Sequence, residues 1–593
     1  MKRYGVIFSF VASLCTPAVA QDITLVVSSE NDGLERTLER ESLTIETLES
    51  EDSTPQDLVA AARADYRRML TALYAKGYYG GTVSIRIDGR EASGLEPLFA
   101  PSSIQKIDID VDPGPRFAFG SVTIAPLPEG ATLPADLAPS APAEAELIRS
   151  GVRSGINAWR DLGYAKATAG NQSIVANHAD RQLDVSVQLS PGPRLSFGAL
   201  EISGNEAVRT SAVRRIAGLP EGEVYSPAEL EKAARRLRAT GAFDGVALTE
   251  ADDTGPNDTL GIAAQIREAK PRRFGFGVEF SSVEGLQLSS FWMHRNAFGG
   301  AERFRVDGEI SGIGGETGGI DYTLGTSLSI PAVRHPDNTL LLQAELSRED
   351  EPEYLLDQLS IGANLTRVVN EEFTTDFGFG LIRAREETDL TTRDYTLFTV
   401  PMGAELDRRD DEKDTKDGYY IDADLTPFVG LQGGANGGRI AVDARAFRSV
   451  GETDRLTFAA RIQLGSVLGA TTSDAPADFL FYSGGGGTVR GQSYNSLGVT
   501  DAGVTTGGTS FLGTQIEARY AVTDKIGIVG FWDYGHIGDT AQPGTSGAWH
   551  SGTGLGVRYQ TGIGPIRLDV GVPANGDNAF GSVQVYLGIG QAF

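Results

Sequence analysis

Cysteine is almost missing from this chain. The single one, Cys15, lies within the first twenty residues, so a chain that loses that segment has no disulfide and no thiol chemistry. Histidine is scarce as well: His178, His294, His335, His536 and His550 are scattered, without the spacing of a metal site. Basic excess is absent too, and a formal net charge of -27 leaves no face for nucleic-acid phosphates. Acidic runs such as Arg348–Glu353 and Asp407–Asp414 read as solvated loops or turns. No serine sits in a Gly-x-Ser-x-Gly elbow, and the glycine run Gly484–Gly487 lacks the lysine and following helix of a phosphate loop. The sequence therefore predicts no catalytic residue, no cofactor and no metal, and an enzyme is not expected.

Long apolar runs are lacking except near the N-terminus. Residues 1–20 read as a secretory signal, with Lys2 and Arg3 ahead of an apolar stretch from Val6 to Leu14 and a small-residue site at Ala18-Val-Ala20. That stretch is shorter than the ~20 residues a spanning helix needs. Leu14 before Cys15 argues against a lipid anchor at that cysteine. Two classes remain for an exported chain: a soluble protein, or a barrel crossing the outer membrane by strands.

What is present divides into two halves. Up to about residue 270, short strand patterns alternate with helical ones. Leu58, Ala61, Ala62, Met69, Leu70 and Leu73 recur at helical spacing, and Val83–Ile87 alternates as a strand. The pattern repeats. Pro113-Gly-Pro-Arg116 with Phe119-Gly120 returns 78 residues later as Pro191-Gly-Pro-Arg194 with Phe197-Gly198, and Arg272 lies another 78 on. Gly77, Gly163 and Gly241 each follow a helical segment and act as helix stops. The expected unit is strand, two helices, two strands, three times over.

From about residue 271 the helical period disappears. Phe274, Phe276, Val278 and Phe280 alternate with Gly275, Gly277, Glu279 and Ser281, and Ile566, Leu568, Val570 and Val572 alternate with Arg567, Asp569 and Gly571. Val585, Leu587, Ile589 and Phe593 are expected on one face of the last strand, interrupted by Gln591. An apolar face opposite a face of glycine and charge suits a lipid-facing wall around a polar lumen. At ~20 residues per strand and turn, about sixteen strands fit. A soluble sandwich or propeller would need the apolar face as a core and explains neither the terminal aromatic nor the three repeats.

The order of motifs in this second half resembles the outer-membrane protein assembly factor superfamily, whose members carry periplasmic POTRA (polypeptide-transport-associated) domains before a 16-stranded barrel. Val489-Arg490-Gly491 matches the family's Val-Arg-Gly-aromatic motif, although Gln492 takes the fourth place and an aromatic comes only at Tyr494. Phe531-Trp-Asp533-Tyr-Gly535, Gly554-Leu-Gly556-Val-Arg558, Gly564–Asp569 and the closing Phe593 follow in family order. Three repeats and a short barrel look most like the translocation and assembly module (TamA) branch. The resemblance implies a signal at 1–20, α+β POTRA repeats at 21–113, 114–192 and 193–270, and an all-β transmembrane barrel at 271–593.

Alternation places Asp533 on the lumenal face, opposite Ile526, Ile528, Trp532 and Tyr534; Glu517, Arg519 and Arg558 face the same way. Alternation gives only this facing; the resemblance implies a charge-assisted contact from Arg490 to Asp533, shared with Glu517, that clamps an infolded loop to the wall. The bland alternative is that these charges hydrate a pore. The barrel seam lies between the first and last strands, where Gly275, Gly277, Gly588 and Gly590 weaken packing near Phe593. Unpaired edges template other strands. The expected function is an assembly or translocation factor that inserts or exports β-barrel and autotransporter-like clients through that seam, in the outer membrane of a Gram-negative bacterium with its POTRA domains in the periplasm. Its expected partners are those clients, outer-membrane lipids and, as the resemblance implies, a TamB-like periplasmic protein. The alternatives are a dedicated two-partner-secretion-type export pore for one secreted protein, and a diffusion porin.

Overall fold

Proline and glycine punctuate the chain at the points where its architecture changes. The computed structural model describes residues 22–28, 32–50, 53–281, 285–315, 318–351, 354–388, 391–451, 453–501, 504–562, 564–576, 579–589, 591 and 593. The expected signal, Cys15 and Gly590 lie outside the described residues. The chain divides into two compact units: Met1–Ala199 with Pro220–Glu229 and Asp252–Gly261, and Leu200–Leu219 with Leu230–Ala251 and Ile262–Phe593.

In the first unit, Asp22–Val27 pairs in parallel with Lys106–Asp112, which pairs in turn with Thr82–Ile87. The helix Pro55–Ala75 begins with a capping box, Thr54 and Asp57 each satisfying the other's backbone N–H, and with Pro55 where no donor is needed. It buries Leu58, Val59, Ala62, Met69 and Leu73 against Ile85, Ile87, Ile107 and Ile109 of the sheet. A second sheet orders Ala118–Ala125, Gln182–Ser190 and Thr168–Asn177. Here the expected pair of helices is a single one, Ala145–Asp161. Pro126, Pro128, Pro134, Pro139 and Pro142 occupy the stretch where the first helix was expected, and each removes a backbone donor and restrains the residue before it. Leu137 and Ala143 from that stretch still reach the core. A third sheet orders Ser196–Ser203, Thr259–Glu268 and Phe243–Gly255.

The second unit holds one large antiparallel sheet. We number its strands β1 Arg272–Ser281, β2 Gly285–His294, β3 Arg303–Ile313, β4 Asp321–Pro331, β5 Asn338–Glu351, β6 Tyr354–Val368 and β7 Phe373–Glu387. They continue as β8 Thr392–Thr399 with Met402–Asp407, β9 Gly418–Gln432, β10 Gly437–Val450, β11 Leu456–Leu468 and β12 Ser510–Ala521. The last four are β13 Ile526–Gly538, β14 Ala548–Tyr559, β15 Ile566–Pro573 and β16 Gln584–Ile589. The sheet has 17 strand segments, two of which are the consecutive halves of β8, so there are sixteen strand positions. Pro401 splits β8 because it has no N–H to give, and the ladder resumes on either side against β7 and β9. The expected alternation holds along β1 and β13. Phe274, Phe276, Val278, Ile526, Ile528 and Trp532 are exposed, while Val529, Phe531 and Asp533 are buried.

Neighbouring strands pair in chain order from β1 to β16, and among the described residues no ladder joins β16 to β1. The described part of the last strand pairs with β15 over six residue pairs, from Gln584↔Gly571 to Ile589↔Ile566.

One expectation is overturned at the C-terminus. Phe593 does not share the outer face with Val585 and Leu587; it is buried beside Phe447 of β10 and Ala459 of β11. Its carbonyl accepts from Arg519 at 3.2 Å. Alternation holds only while the strand continues, and this one ends at Ile589. Gln591, which would otherwise point into hydrocarbon, is bonded instead to Arg558 at 3.0 Å and Asp414 at 3.1 Å.

Within the same unit, Arg236 of the helix Pro227–Ala239 meets Asp337, in the β4–β5 turn, through a bidentate pair at 2.6 and 3.0 Å, with Lys232 at 3.3 Å. Burial works against the Asp337 carboxylate, but Arg236 and Lys232 hold it below the usual range.

Candidate functional site

The connection between β11 and β12, residues 469–509, turns back on itself before it rejoins the sheet. Phe481 and Gly508 exchange backbone hydrogen bonds at 2.9 and 2.8 Å, and Ser483 and Leu497 at 3.0 and 2.9 Å, which makes a narrow double-backed tongue. Its root is apolar. Phe479, Leu480 and Phe481 join Phe428, Val467, Phe511 and Ile537 in one buried cluster. Asp478 sits at that root with a carboxylate oxygen that is shut off from solvent and meets no donor. Burial, with Glu349 and Glu386 close by, outweighs the carboxyl's own backbone N–H and Arg439 and pushes Asp478 from 3.8 up to about 7. A raised carboxyl value means that the docked tongue tolerates the protonated form better. Docking should therefore be weakest above about pH 7 and tighten as pH falls from there to about 4. Thiol-labelling rates at Val489→Cys, a position buried in the docked tongue, divided by the rate of a free thiol at each pH, should rise between about pH 4 and pH 7, and Asp478→Asn should flatten that profile.

The tip carries Arg490, whose side chain is 1 % exposed. Its Nε and a terminal nitrogen donate to the two oxygens of Asp533 on β13 at 2.8 and 2.9 Å, and its backbone N–H adds a third bond at 3.0 Å. The other terminal nitrogen donates to Glu517 of β12 at 2.6 Å and to Asp569 of β15 at 3.3 Å. The guanidinium lies over the Phe531 ring, 3.7 Å from its centre. Arg519 donates to the second oxygen of Glu517 at 2.7 Å, and Arg558 pairs with Asp569. Three arginines and three carboxylates thus balance one another in a buried group, each carboxylate held by at least one guanidinium. Buried charges persist only when paired in this way.

The wall beneath the tip is bare. A Cβ added at Gly552 of β14 would lie 1.9 Å from the Arg490 carbonyl oxygen, and one at Gly571 of β15 would lie 2.9 Å from the Gly491 nitrogen. Gly491 itself has φ +94, and an added Cβ would meet the Val572 backbone at 2.5 Å, so only glycine fits there. Further bonds hold the tip along its length. Arg461 donates to the Gly487 carbonyl at 3.1 Å and Gln515 to that of Thr488 at 2.9 Å. Gln492 donates to the Ser551 carbonyl at 2.8 Å, and the Gly491 N–H donates to the Tyr586 hydroxyl at 3.0 Å.

The residues singled out in the sequence fall into two groups. Arg490, Asp533, Glu517, Arg558, Asp569 and Phe531 come together at the tip, with Val489 buried against the backbone of Gly535. The seam glycines do not come together. Gly275 and Gly277 face Phe291 and Ser289 of β2, and Gly588 faces Arg567 of β15. Sequence reasoning missed Arg461, Gln515 and Tyr586. Alternation could have put all three on the lumenal face, but nothing in the tongue's sequence states which of its backbone groups they would meet. Ser483 of the tongue and His550 of β14 also pair, at 2.8 Å, with Ser483 wholly buried and so closed to any substrate.

The Omp85 superfamily domain matches residues 296–593 and a POTRA domain, the surface antigen variable number repeat, matches residues 196–269. Outer membrane protein assembly factor BamA of Nitratidesulfovibrio vulgaris is 23 % identical over 442 residues, covering 70 % of this chain and 53 % of that protein. BamA of Neisseria meningitidis serogroup B is 24 % identical over 204 residues, 33 % of this chain and 25 % of the relative. The chain thus spans about half the length of the first of these relatives, and less of the second. Among solved structures, BamA from Haemophilus ducreyi lacking POTRA domains 1–3 aligns with TM-score 0.61 at 14 % identity, covering 79 % of this chain and 98 % of that one. CdiB from Acinetobacter baumannii aligns with TM-score 0.50 at 12 % identity, over 80 % and 89 %. At such identities the structural likeness concerns the fold alone.

Proposed function

Because this chain belongs to the Omp85 superfamily, with its barrel in the Gram-negative outer membrane and POTRA domains in the periplasm, we propose that it assembles or translocates outer-membrane proteins without a catalytic step. The observation that carries this reading is the seam: among the described residues β16 pairs on one side only, and no ladder ties it to β1. Unpaired edge groups in hydrocarbon are costly and accept an incoming strand. Clients would be β-barrel or autotransporter-like chains that add to that edge while their backbone groups stay paired. Beside the seam Phe276 is 84 % exposed and Leu587 66 %, so a strand leaving sideways would meet lipid at once.

The finer assignments are part of this proposal. We read residues 21–113, 114–192 and 193–270 as three POTRA repeats, 271–593 as the barrel, and the whole as TamA-like. The repeats would then receive clients and a TamB-like partner by strand addition at their sheet edges. We also assign Arg490 and its carboxylates to holding the tongue, and the glycines of β1 and β16 to the seam.

Locking the seam tests the reading. Cysteine pairs placed between β1 and β16, in a chain whose one native cysteine is Cys15, should form disulfides where the Cα atoms come within about 7 Å. Oxidised protein should then lose assembly of client barrels, and reduction should restore it. Client assembly that continues undiminished with the seam locked overturns the proposal. A second reading, a dedicated export pore, draws on the fold likeness to CdiB. Deleting the gene separates the two readings: loss of several barrel or autotransporter proteins supports assembly, and loss of one secreted protein alone supports export.

A further inference from the structure

The tongue's contacts do not stop at the strands that hold Arg490. Tyr586 lies midway along β16, opposite Asp569, and its hydroxyl accepts the Gly491 N–H at 3.0 Å. Its ring covers Gly486, where an added Cβ would lie 3.3 Å away. Two separate points of the tip, on either side of Arg490, therefore rest on one side chain of the last strand. That strand has few other holds. Among the described residues it has a six-residue ladder to β15, no ladder to β1, and inturned Gln591 and Phe593 at its end. The tip meanwhile grips β12, β13 and β15 through Arg490, and β14 through Gln492. A single side chain thus links the fixed side of the tongue to the loosest strand of the barrel.

We propose that Tyr586 is a positioning residue that couples the seating of the tongue to the position of the last strand. Displacing β16, as an incoming strand at the seam would, draws the hydroxyl from Gly491 and the ring from Gly486 while Arg490 still holds the wall. The tip then loses its β16 support and the seam strand loses its lumenal tether. The coupling is a property of the barrel by itself; its use during assembly rests on the seam reading above.

Spin labels in the purified full-length protein test this. Gly487 accepts a label because an added Cβ there meets nothing within 4 Å, and Val278, Ile528 and Val585 are exposed on the outer face of β1, β13 and β16. In the native protein the distances 487–585, 487–528 and 278–585 should each be narrowly distributed. Tyr586→Phe removes one oxygen. It should broaden 487–585 and 278–585, with a displaced population rising about two- to tenfold as expected for one lost hydrogen bond, and should leave 487–528 narrow. Coupling is reciprocal, so Arg490→Lys, which loosens the tip from the wall, should broaden 278–585 as well. Should Tyr586→Phe fail to fold, Arg490→Lys alone decides. Folded variants whose β1–β16 distance stays as narrow as in the native protein overturn the inference. These distances do not depend on clients, so a failed coupling is distinguishable from a failed seam reading, which shows only when the locked barrel still assembles them.

Discussion

Arg490→Ala should unseat the tongue and cost the barrel about 3–5 kcal/mol, the range for removing one partner of a buried ion pair. The expected size follows from what is left behind. Asp533 loses both guanidinium hydrogen bonds at once, keeps only the backbone N–H of residue 490, and has no other cation among its bonded partners. Glu517 and Asp569 keep Arg519 and Arg558, so the uncompensated charge is concentrated at one carboxylate. Loss of the guanidinium also removes the cation resting on Phe531. Arg490→Lys retains the charge but not the planar fork that meets both Asp533 oxygens, and should fall between alanine and the native protein. Asp533→Asn keeps the shape and one acceptor while leaving the group with an excess positive charge, and should also be intermediate. Urea midpoints followed by tryptophan fluorescence, with the heat-dependent gel mobility of the folded barrel, measure these differences. Equal midpoints for Arg490→Ala and native protein would show that the buried group contributes nothing net.

The parts of this site that could be read in the sequence are those governed by local rules. Asp533 is lumenal because every second residue of β13 is, and Ile526, Ile528 and Trp532 fix which set faces lipid. The same rule orients Glu517, Arg558 and Asp569. It fails at Phe593, because the rule needs a continuing strand and the ladder stops at Ile589. It also cannot register the tongue, which has no period; the bonds from Arg461, Gln515 and Tyr586 go to backbone groups whose places depend on the whole loop path. In the second repeat the warning was present and local. Five prolines within Pro126–Pro142 outweighed the expectation carried over from the neighbouring repeats. The sixteen strand positions were legible from length and alternation, while the break at Pro401 is again a matter of one missing donor.

Gly552→Ala should reproduce much of the Arg490→Ala defect without touching a charge. The added Cβ would sit 1.9 Å from the Arg490 carbonyl oxygen and 3.0 Å from its carbon, and neither atom is the movable end of a side chain. Strand β14 cannot retreat, because Gly552 is in ladder register with Asp533 on one side and Pro573 on the other. The tongue must give way, and a shift of an ångström or more at the Arg490 backbone breaks the N–H bond to Asp533 and misaims the fork. Overpacking alone costs about 1–3 kcal/mol. Loss of ion-pair geometry adds to it, up to the ~3–5 kcal/mol of a broken buried pair. Gly530→Ala on β13 is the matched control, since its Cβ would meet only a Leu555 methyl at 3.8 Å, an ordinary contact. The two defects share one cause, so the double variant Arg490→Ala/Gly552→Ala should be little worse than Arg490→Ala alone; strict additivity would mean that the glycine and the arginine act on different structures. If Gly552→Ala instead matches Gly530→Ala in urea midpoint and leaves labelling at the buried Val489→Cys as slow as in the native background, the wall is not what seats the tongue.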